Sequence, residues 1–154
     1  MNKEKKQSYI SEMTTHFDKS EAVIVAHYQG LTVNQLDELR AKMREHGIIF
    51  KITKNRITKL ALEKTRCKEL SNLFTGPTAV ALSQDAITSA KILTNFSKEN
   101  SNLKILGGIM GNDILDLVGV KNVATLPTLD EARAKIVGIL RSPAQKIASI
   151  LLAP

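Results

Sequence analysis

Runs of β-branched and apolar residues alternate along this chain with segments whose apolar positions recur at helical spacing. The runs predict four strands, at residues 22–28, 48–53, 78–83 and 103–110. Helical spacing predicts amphipathic helices at residues 3–17, 32–47, from 55 onward and 86–100. This alternation indicates an α/β fold, which we expect to be a two-layer sandwich with a roughly four-stranded sheet.

The sharpest helix boundary follows the first predicted strand. Thr32 and Gln35 have the spacing of a capping box, and Leu31 and Leu36 are placed for a hydrophobic staple. Gly47 suits the C-terminal stop of this helix. In the next helix, spacing predicts an inner face that includes Leu60, with charged residues on the outer face.

The pattern changes after Asp113, where a short helix is predicted. Thr128 and Glu131 then form a second capping box and open a longer helix. Because proline starts helices and interrupts those already running, Ser142 and Pro143 are predicted to divide this helix from a last one at a kink or hinge.

The last predicted helix has an apolar stripe formed by Ile147, Ile150 and Leu151. It is shorter than the ~12–15 residues that an isolated helix needs in water, so we expect the chain's own body or another protein to cover it. The chain is therefore predicted to consist of an α/β domain at 1–126 and a helical segment at 127–154.

Composition narrows the class of protein. A chain of 154 residues with 43% apolar residues can bury a core and fits one domain with an appendage. No signal-peptide core or membrane-length apolar run is present, and the single cysteine fits a reducing compartment, so we expect a cytoplasmic protein.

Positive charge is concentrated in one segment. Residues 51–68 hold seven Lys and Arg against one Glu, and so carry most of the formal net charge of +7. Charge focused on one strand-to-helix segment can follow a row of phosphates. A solvated helix face is the alternative interpretation. With two Tyr, four Phe and no Trp, a folded RNA fits this surface better than stacked single-stranded bases do.

Catalytic motifs find little support. His16, His27 and His46 lie in unrelated contexts, without a nucleophile motif or a metal-spaced Cys/His cluster. The glycines at 107, 108 and 111 lack the Lys-Ser/Thr of a phosphate loop and predict a bulge or close backbone packing instead. We therefore expect no catalytic residue, no metal and no cofactor.

Four segments together resemble a known family. They read YQGLTVNQLDELR at 28–40, KITKNRITKLAL at 51–62, FTGPTAVA at 74–81 and ATLPTLDEA at 124–132. In order and spacing they are similar to the bacterial stalk-base protein of the large ribosomal subunit, number ten in its series. The resemblance spans essentially the whole chain.

The resemblance implies a structural protein that binds large-subunit ribosomal RNA beside the neighbouring protein number eleven. Its C-terminal helix would carry dimers of the acidic stalk protein, seven/twelve, which help recruit translational GTPases. The implied RNA-binding residues are Lys51, Lys54, Asn55, Arg56 and Lys59, with Gln29, Gly30, Gly76 and Pro77 in nearby turns. A purely structural role for the glycines and the proline is equally compatible with the sequence.

The implied dimer-binding residues lie behind the predicted hinge and are Ala144, Ile147, Ala148, Ile150 and Leu151. Members of the family usually continue this helix through further apolar segments, each docking another dimer, so we expect at most one dimer here. Two alternatives are a ribosome-assembly paralogue that binds the same RNA and a small nucleotide-acting α/β enzyme.

Overall fold

A computed structural model of the chain describes residues 3–63, 65, 67–111 and 113–151. Two cations of the basic segment, Lys64 and Arg66, lie outside the described residues, as does Leu152 at the end of the last predicted helix.

Six α-helices and five strands are formed by the described residues. The helices are α1 (Lys3–Lys19), α2 (Val33–Glu45), α3 (Asn55–Leu62), α4 (Ala86–Glu99), α5 (Leu117–Thr125) and α6 (Leu129–Leu151). The strands are β1 (Ala22–His27), β2 (Ile49–Ile52), β3 (Thr78–Ser83), β4 (Lys104–Met110) and β5 (Asp113–Asp116). A short 3₁₀ helix, Lys68–Leu73, connects α3 to β3.

The strands form one antiparallel sheet in the order β2-β3-β1-β4-β5. In its register, His27 lies opposite Thr78 of β3 and Lys104 of β4, and Ile52 lies opposite Ala79. The C-terminal ends of β1 and β2 therefore meet the N-terminal ends of β3 and β4 at one end of the sheet. We call this end the His27 end.

Helices cover both faces of the sheet. Ile24 and Ala26 of β1 face a core shared with α2, α4 and α5. Val23 and Val25 face a second core, shared with α1, α3 and the 3₁₀ helix. Because successive side chains of a strand point to opposite faces, a continuous apolar run such as β1 requires cover on both sides. The α/β class is confirmed, but the sheet lies between two helical layers rather than under one.

The sheet has five strands rather than about four. β5 was expected to belong to a short helix after Asp113, whereas the helix begins only at Leu117. β5 pairs with the glycine-rich part of β4, with Asp116 opposite Gly107 and Asp113 opposite Met110. Four residues with exposed or half-buried side chains carry too little pattern to identify an edge strand.

The glycines of β4 allow close backbone packing, as predicted. A Cβ atom on Gly108 would lie 2.5 Å from the Val23 carbonyl oxygen, and one on Gly107 would lie 2.6 Å from the Leu115 carbonyl oxygen. The register with β1 also shifts between Val25 and Ala26, which marks a bulge.

Most of the predicted helix boundaries are confirmed. Thr32 and Gln35 form both hydrogen bonds of a capping box, and Gly47 adopts a left-handed conformation with φ of 69°. Two inner positions were predicted wrongly, because Val33 and Leu60 are 72% and 51% exposed. In α3 the rotation of the helix buries Thr58 instead.

The C-terminal helix α6 differs from the rest of the fold. Thr128 and Glu131 form the predicted capping box, with N–O distances of 3.0 and 3.4 Å. The helix continues through Pro143 as one long, bent element, rather than as two separate helices, and none of its described residues is buried. The hinge at Ser142 and Pro143 stays a prediction. Within the described part of the chain, no helix is long and apolar enough to cross a membrane.

Candidate nucleic-acid interface

The basic segment reaches the surface at the His27 end of the sheet. β2 ends at Ile52, two residues separate it from α3, and α3 begins at Asn55. The loop Thr75–Pro77 precedes β3 and lies beside this helix start. The antiparallel register thus brings together segments that are about twenty residues apart in sequence.

Asn55 ties α3 to that loop. Its side-chain Nδ2 donates a hydrogen bond of 2.7 Å to the Gly76 carbonyl oxygen. Its Oδ1 accepts a hydrogen bond from the hydroxyl of Thr78, a residue that is 1% exposed. Both polar ends of the amide are therefore used within the protein, so Asn55 positions the surface.

An open groove of about 670 Å³ lies at the start of α3. Lys54 and Arg56 line it from the basic segment, and Lys6 lines it from α1. Arg56 is exposed and forms no ion pair with any described residue. Leu60 forms part of the apolar wall of the groove, which accounts for its exposure.

Lys51 faces elsewhere. Its Nζ donates a hydrogen bond of 2.5 Å to Glu12 Oε1 of α1, and it lies 3.4 Å from Nε2 of His16. The hydrogen bond and the charge of Lys51 lower the pKa of Glu12 below its usual value. Lys51 thus has a partner within the protein. Lys59 is half-buried and does not line the groove with Arg56.

A second part of the His27 end surrounds the turn after β1. Gln29 is exposed, and Gly30 adopts φ of 90°, which favours glycine. Asn102 Nδ2 donates a hydrogen bond of 2.7 Å to the Gly30 carbonyl oxygen, and Lys104 begins β4 beside Asn102 and Gln29. This turn therefore presents a cation from another strand.

His27 connects the two parts. Its Nε2 lies 2.7 Å from the Thr75 carbonyl oxygen, and a Cβ atom on Gly76 would lie 3.6 Å from its ring. Gly76 has φ of 70°, and Pro77 follows it at the entry to β3. Lysine and arginine side chains from three elements thus share one surface around a rigid loop.

Sequence reasoning missed Lys6, Asn102 and Lys104 as parts of this surface. No local motif surrounds them, and only the packing of α1 and the register of β4 against β1 bring them here. The signal that could have found Lys104 is strand pairing, because His27 lies directly opposite it.

Charge differs between the two ends of the sheet. The His27 end presents Lys54, Arg56 and Lys104, whereas Glu21, Asp85 and Asp113 lie beside the strand ends at the opposite end. A polyanion would therefore be attracted to the His27 end.

The C-terminal helix presents a second candidate surface. The residues expected to bind a stalk dimer are all exposed, namely Ala144, Ile147, Ala148, Ile150 and Leu151. Ile150 and Leu151 are 73% and 79% exposed. The apolar positions ahead of Pro143 are exposed as well, with Leu140 at 75%. Contiguous exposed apolar side chains mark an interaction surface.

The described residues contain no cluster of His, Cys, Asp or Glu that could hold a metal ion. The three histidines lie apart on α1, β1 and the end of α2. Cys67 is buried before the 3₁₀ helix.

Comparisons with known proteins agree with the resemblance noted above. A sequence model of the family described as ribosomal protein L10 matches residues 1–98. The protein named large ribosomal subunit protein uL10 of Pelagibacter ubique is 72% identical over 153 residues, which cover 99% of this chain and 92% of the relative. Its namesake in Rhodospirillum rubrum is 46% identical, covering 100% of this chain and 90% of the relative.

Proposed function

The chain belongs to the ribosomal protein L10 family, and we propose that it joins ribosomal RNA to the acidic stalk of the large subunit. Family membership makes it a structural ribosomal protein rather than an enzyme. In this proposal the His27 end binds large-subunit ribosomal RNA beside the neighbouring protein number eleven. Helix α6 carries the acidic stalk dimers, seven/twelve, which help recruit translational GTPases.

The observation that carries the RNA part of the proposal is the shared basic surface at the His27 end. Lys6, Lys54, Arg56 and Lys104 come from α1, the start of α3 and the start of β4, and the Asn55 amide supports the loop between them. Cations on a rigid surface can follow phosphates without losing much side-chain and backbone freedom on binding. Each phosphate contact also releases counterions, which favours association at low salt.

The stalk part of the proposal depends on α6. Its apolar side chains at Ile147, Ile150 and Leu151 are spaced at i, i+3 and i+4, the anchor pattern of a helix bound in an apolar groove. The predicted hinge at Ser142 and Pro143 would let this segment move relative to the RNA-bound domain.

A double charge reversal tests the RNA interface. Arg56→Glu with Lys59→Glu should weaken binding to a stalk-base RNA fragment and reduce the salt dependence of binding, because phosphate contacts are lost. The domain should remain folded, since both side chains are at least partly exposed and α3 keeps its buried face. Filter-binding titrations across a salt series measure both quantities.

The matched control reverses the same number of charges at the opposite end of the sheet. Lys19 and Arg44 lie at the C-terminal ends of α1 and α2, and both are exposed. Lys19→Glu with Arg44→Glu should lower affinity only through the change in net charge, with a smaller loss of salt slope. Equal losses in the two double variants would show that net charge, and not the His27 end, determines binding.

A further inference from the structure

The start of α3 combines backbone donors with cations. The Lys54 carbonyl oxygen accepts hydrogen bonds of 3.0 Å from the backbone N–H groups of Ile57 and Thr58. The backbone N–H groups of Asn55 and Arg56 donate to no acceptor among the described residues. Two donors therefore point out of the helix at its positive end.

The residue at the N-cap cannot satisfy these donors. Lys54 occupies that position, and no side-chain hydrogen bond caps the helix. By contrast, Thr32 at the start of α2 accepts a hydrogen bond from the Gln35 backbone N–H. A lysine ammonium is a donor only, so at α3 it adds positive charge where a helix otherwise receives an acceptor.

A second observation comes from Thr53, which lines the same groove as Lys54 and Arg56. Its side chain is 7% exposed, and its hydroxyl has no hydrogen-bond partner among the described residues. Buried hydroxyl groups are nearly always hydrogen-bonded, so this one indicates a missing polar partner beside the groove.

We infer that the N-terminus of α3 binds one phosphate group of the RNA, using the backbone N–H groups of Asn55 and Arg56. The inference rests on the proposed function and names the contact within it. Arg56 and Lys6 supply charge around the bound oxygens, and the Thr53 hydroxyl supplies a further donor. Ile57 and Leu60 form an apolar wall that limits access of water.

This placement differs from an interface on the outer face of the helix. On the outer face, each cation would act through a flexible side chain. At the helix start, fixed backbone donors define one position for the phosphate, because Asn55 anchors the first residue of α3 to Gly76 and Thr78. The site therefore sets the register of the RNA on the protein as well as adding affinity.

The test variant is Lys54→Asp in the full chain. Aspartate is a strong N-cap, so its carboxylate should accept the backbone N–H groups of the first turn and exclude a phosphate while the helix stays intact. In the wild-type chain, inorganic phosphate should shift the amide NMR signals of Asn55 and Arg56 to saturation, at constant ionic strength. In Lys54→Asp these shifts should disappear, and affinity for the stalk-base RNA fragment should fall about tenfold or more.

Two further variants separate capping from charge. Lys54→Gln removes the same cation without introducing a strong cap, so the phosphate-dependent shifts should remain and RNA affinity should fall less. Lys19→Asp makes the same charge change as Lys54→Asp at the opposite end of the sheet. It should keep the shifts, and its RNA affinity should stay within about threefold of wild type, as expected for a surface site outside the interface.

The outcomes distinguish the inference from the function beneath it. If Lys54→Asp matches Lys19→Asp in both phosphate shifts and RNA affinity, the phosphate site is wrong, whereas wild-type RNA binding still supports the proposed function. If the wild-type chain does not bind the RNA fragment at all, the proposed function fails, and the inference fails with it.

Discussion

The sheet domain and the C-terminal helix use similar apolar residues in opposite ways. In the sheet domain, residues such as Val25, Leu39 and Leu93 are fully buried between the sheet and its helices. In α6, Ile139, Leu140 and Ile150 are each more than two-thirds exposed. The domain thus satisfies its apolar side chains internally, whereas α6 has a surface that requires a partner. Stability belongs to the first region and capture of a partner to the second.

Two glycine substitutions should break this comparison most strongly. Gly108→Ala should destabilise the domain by about 2–4 kcal/mol, because a Cβ atom there would lie 2.5 Å from the Val23 carbonyl oxygen and backbone would have to move. Gly138→Ala in α6 meets nothing within 4 Å and should instead stabilise the helix by about 0.5–1 kcal/mol.

Urea unfolding followed by circular dichroism measures the first effect, and residue-level amide exchange within α6 measures the second. The prediction fails if Gly108→Ala unfolds at the wild-type urea concentration, or if Gly138→Ala makes exchange in α6 faster.

Charges on the apolar stripe of α6 should remove the second function alone. Ile150→Asp with Leu151→Asp should weaken capture of the acidic dimer by about a hundredfold or more, because two apolar anchors are lost and charges are buried in their place. Unfolding of the domain and its RNA affinity should not change, since neither side chain is buried within the chain. Native mass spectrometry counts the bound dimers, and we expect at most one.

The matched control places two aspartates on the opposite side of the same helix. Gln145 and Ser149 are exposed and lie two residues on either side of Ile147. Gln145→Asp with Ser149→Asp should retain dimer capture. Equal loss in both double variants would indicate charge repulsion by an acidic partner rather than loss of apolar anchors.

Asn55 and Arg56 should separate support from contact within the RNA interface. Asn55→Ala should cost about 1–3 kcal/mol of stability, because it leaves the buried Thr78 hydroxyl and the Gly76 carbonyl without their partner. Arg56→Ala should change stability by less than about 0.5 kcal/mol, since the side chain is exposed, yet it should reduce RNA affinity.

Asn55→Asp gives an internal check, because it keeps an acceptor for Thr78 but loses the donor to Gly76. Its stability, measured by thermal unfolding, should lie between those of wild type and Asn55→Ala. Stability indistinguishable from wild type in Asn55→Ala would contradict the supporting role.

The smallest effect concerns the ion pair that joins α6 to the domain. Lys91 Nζ lies 2.7 Å from Glu131 Oε2, and this hydrogen bond, aided by the Thr128 backbone N–H, lowers the pKa of Glu131 below its usual value. A lowered pKa in the folded state stabilises above the unfolded value, and that stabilisation is lost as pH falls through the folded pKa. The junction should therefore weaken only under acidic conditions.

Lys91→Gln should raise the pKa of Glu131 toward its usual value, because the largest cause of the shift is removed. Lys135→Gln should raise it less, since Lys135 contributes only a minor attraction. Carboxyl NMR titration measures both variants. An unchanged pKa in Lys91→Gln would show that the contact does not persist in solution.

Local rules predicted much of this protein from its sequence. The α/β class, four of the strands, both capping boxes and the close packing at the β4 glycines are confirmed, because each depends on neighbouring residues or on periodicity. The stretch of positive charge was also visible. Which of its cations share a surface was not, since Lys51 pairs with Glu12 while Lys54 and Arg56 line a groove.

The sequence alone was sufficient for the family, the order of the principal elements and the apolar stripe of the last helix, since these depend on residue type and spacing along one chain. Tertiary structure decided the fifth strand, the second helical layer and the meeting of Lys6, Arg56 and Lys104 at one end of the sheet. It also turned Leu60 outward and Thr58 inward. These features depend on strand register and on how each helix rotates against the sheet, and both are determined by contacts between residues far apart in sequence.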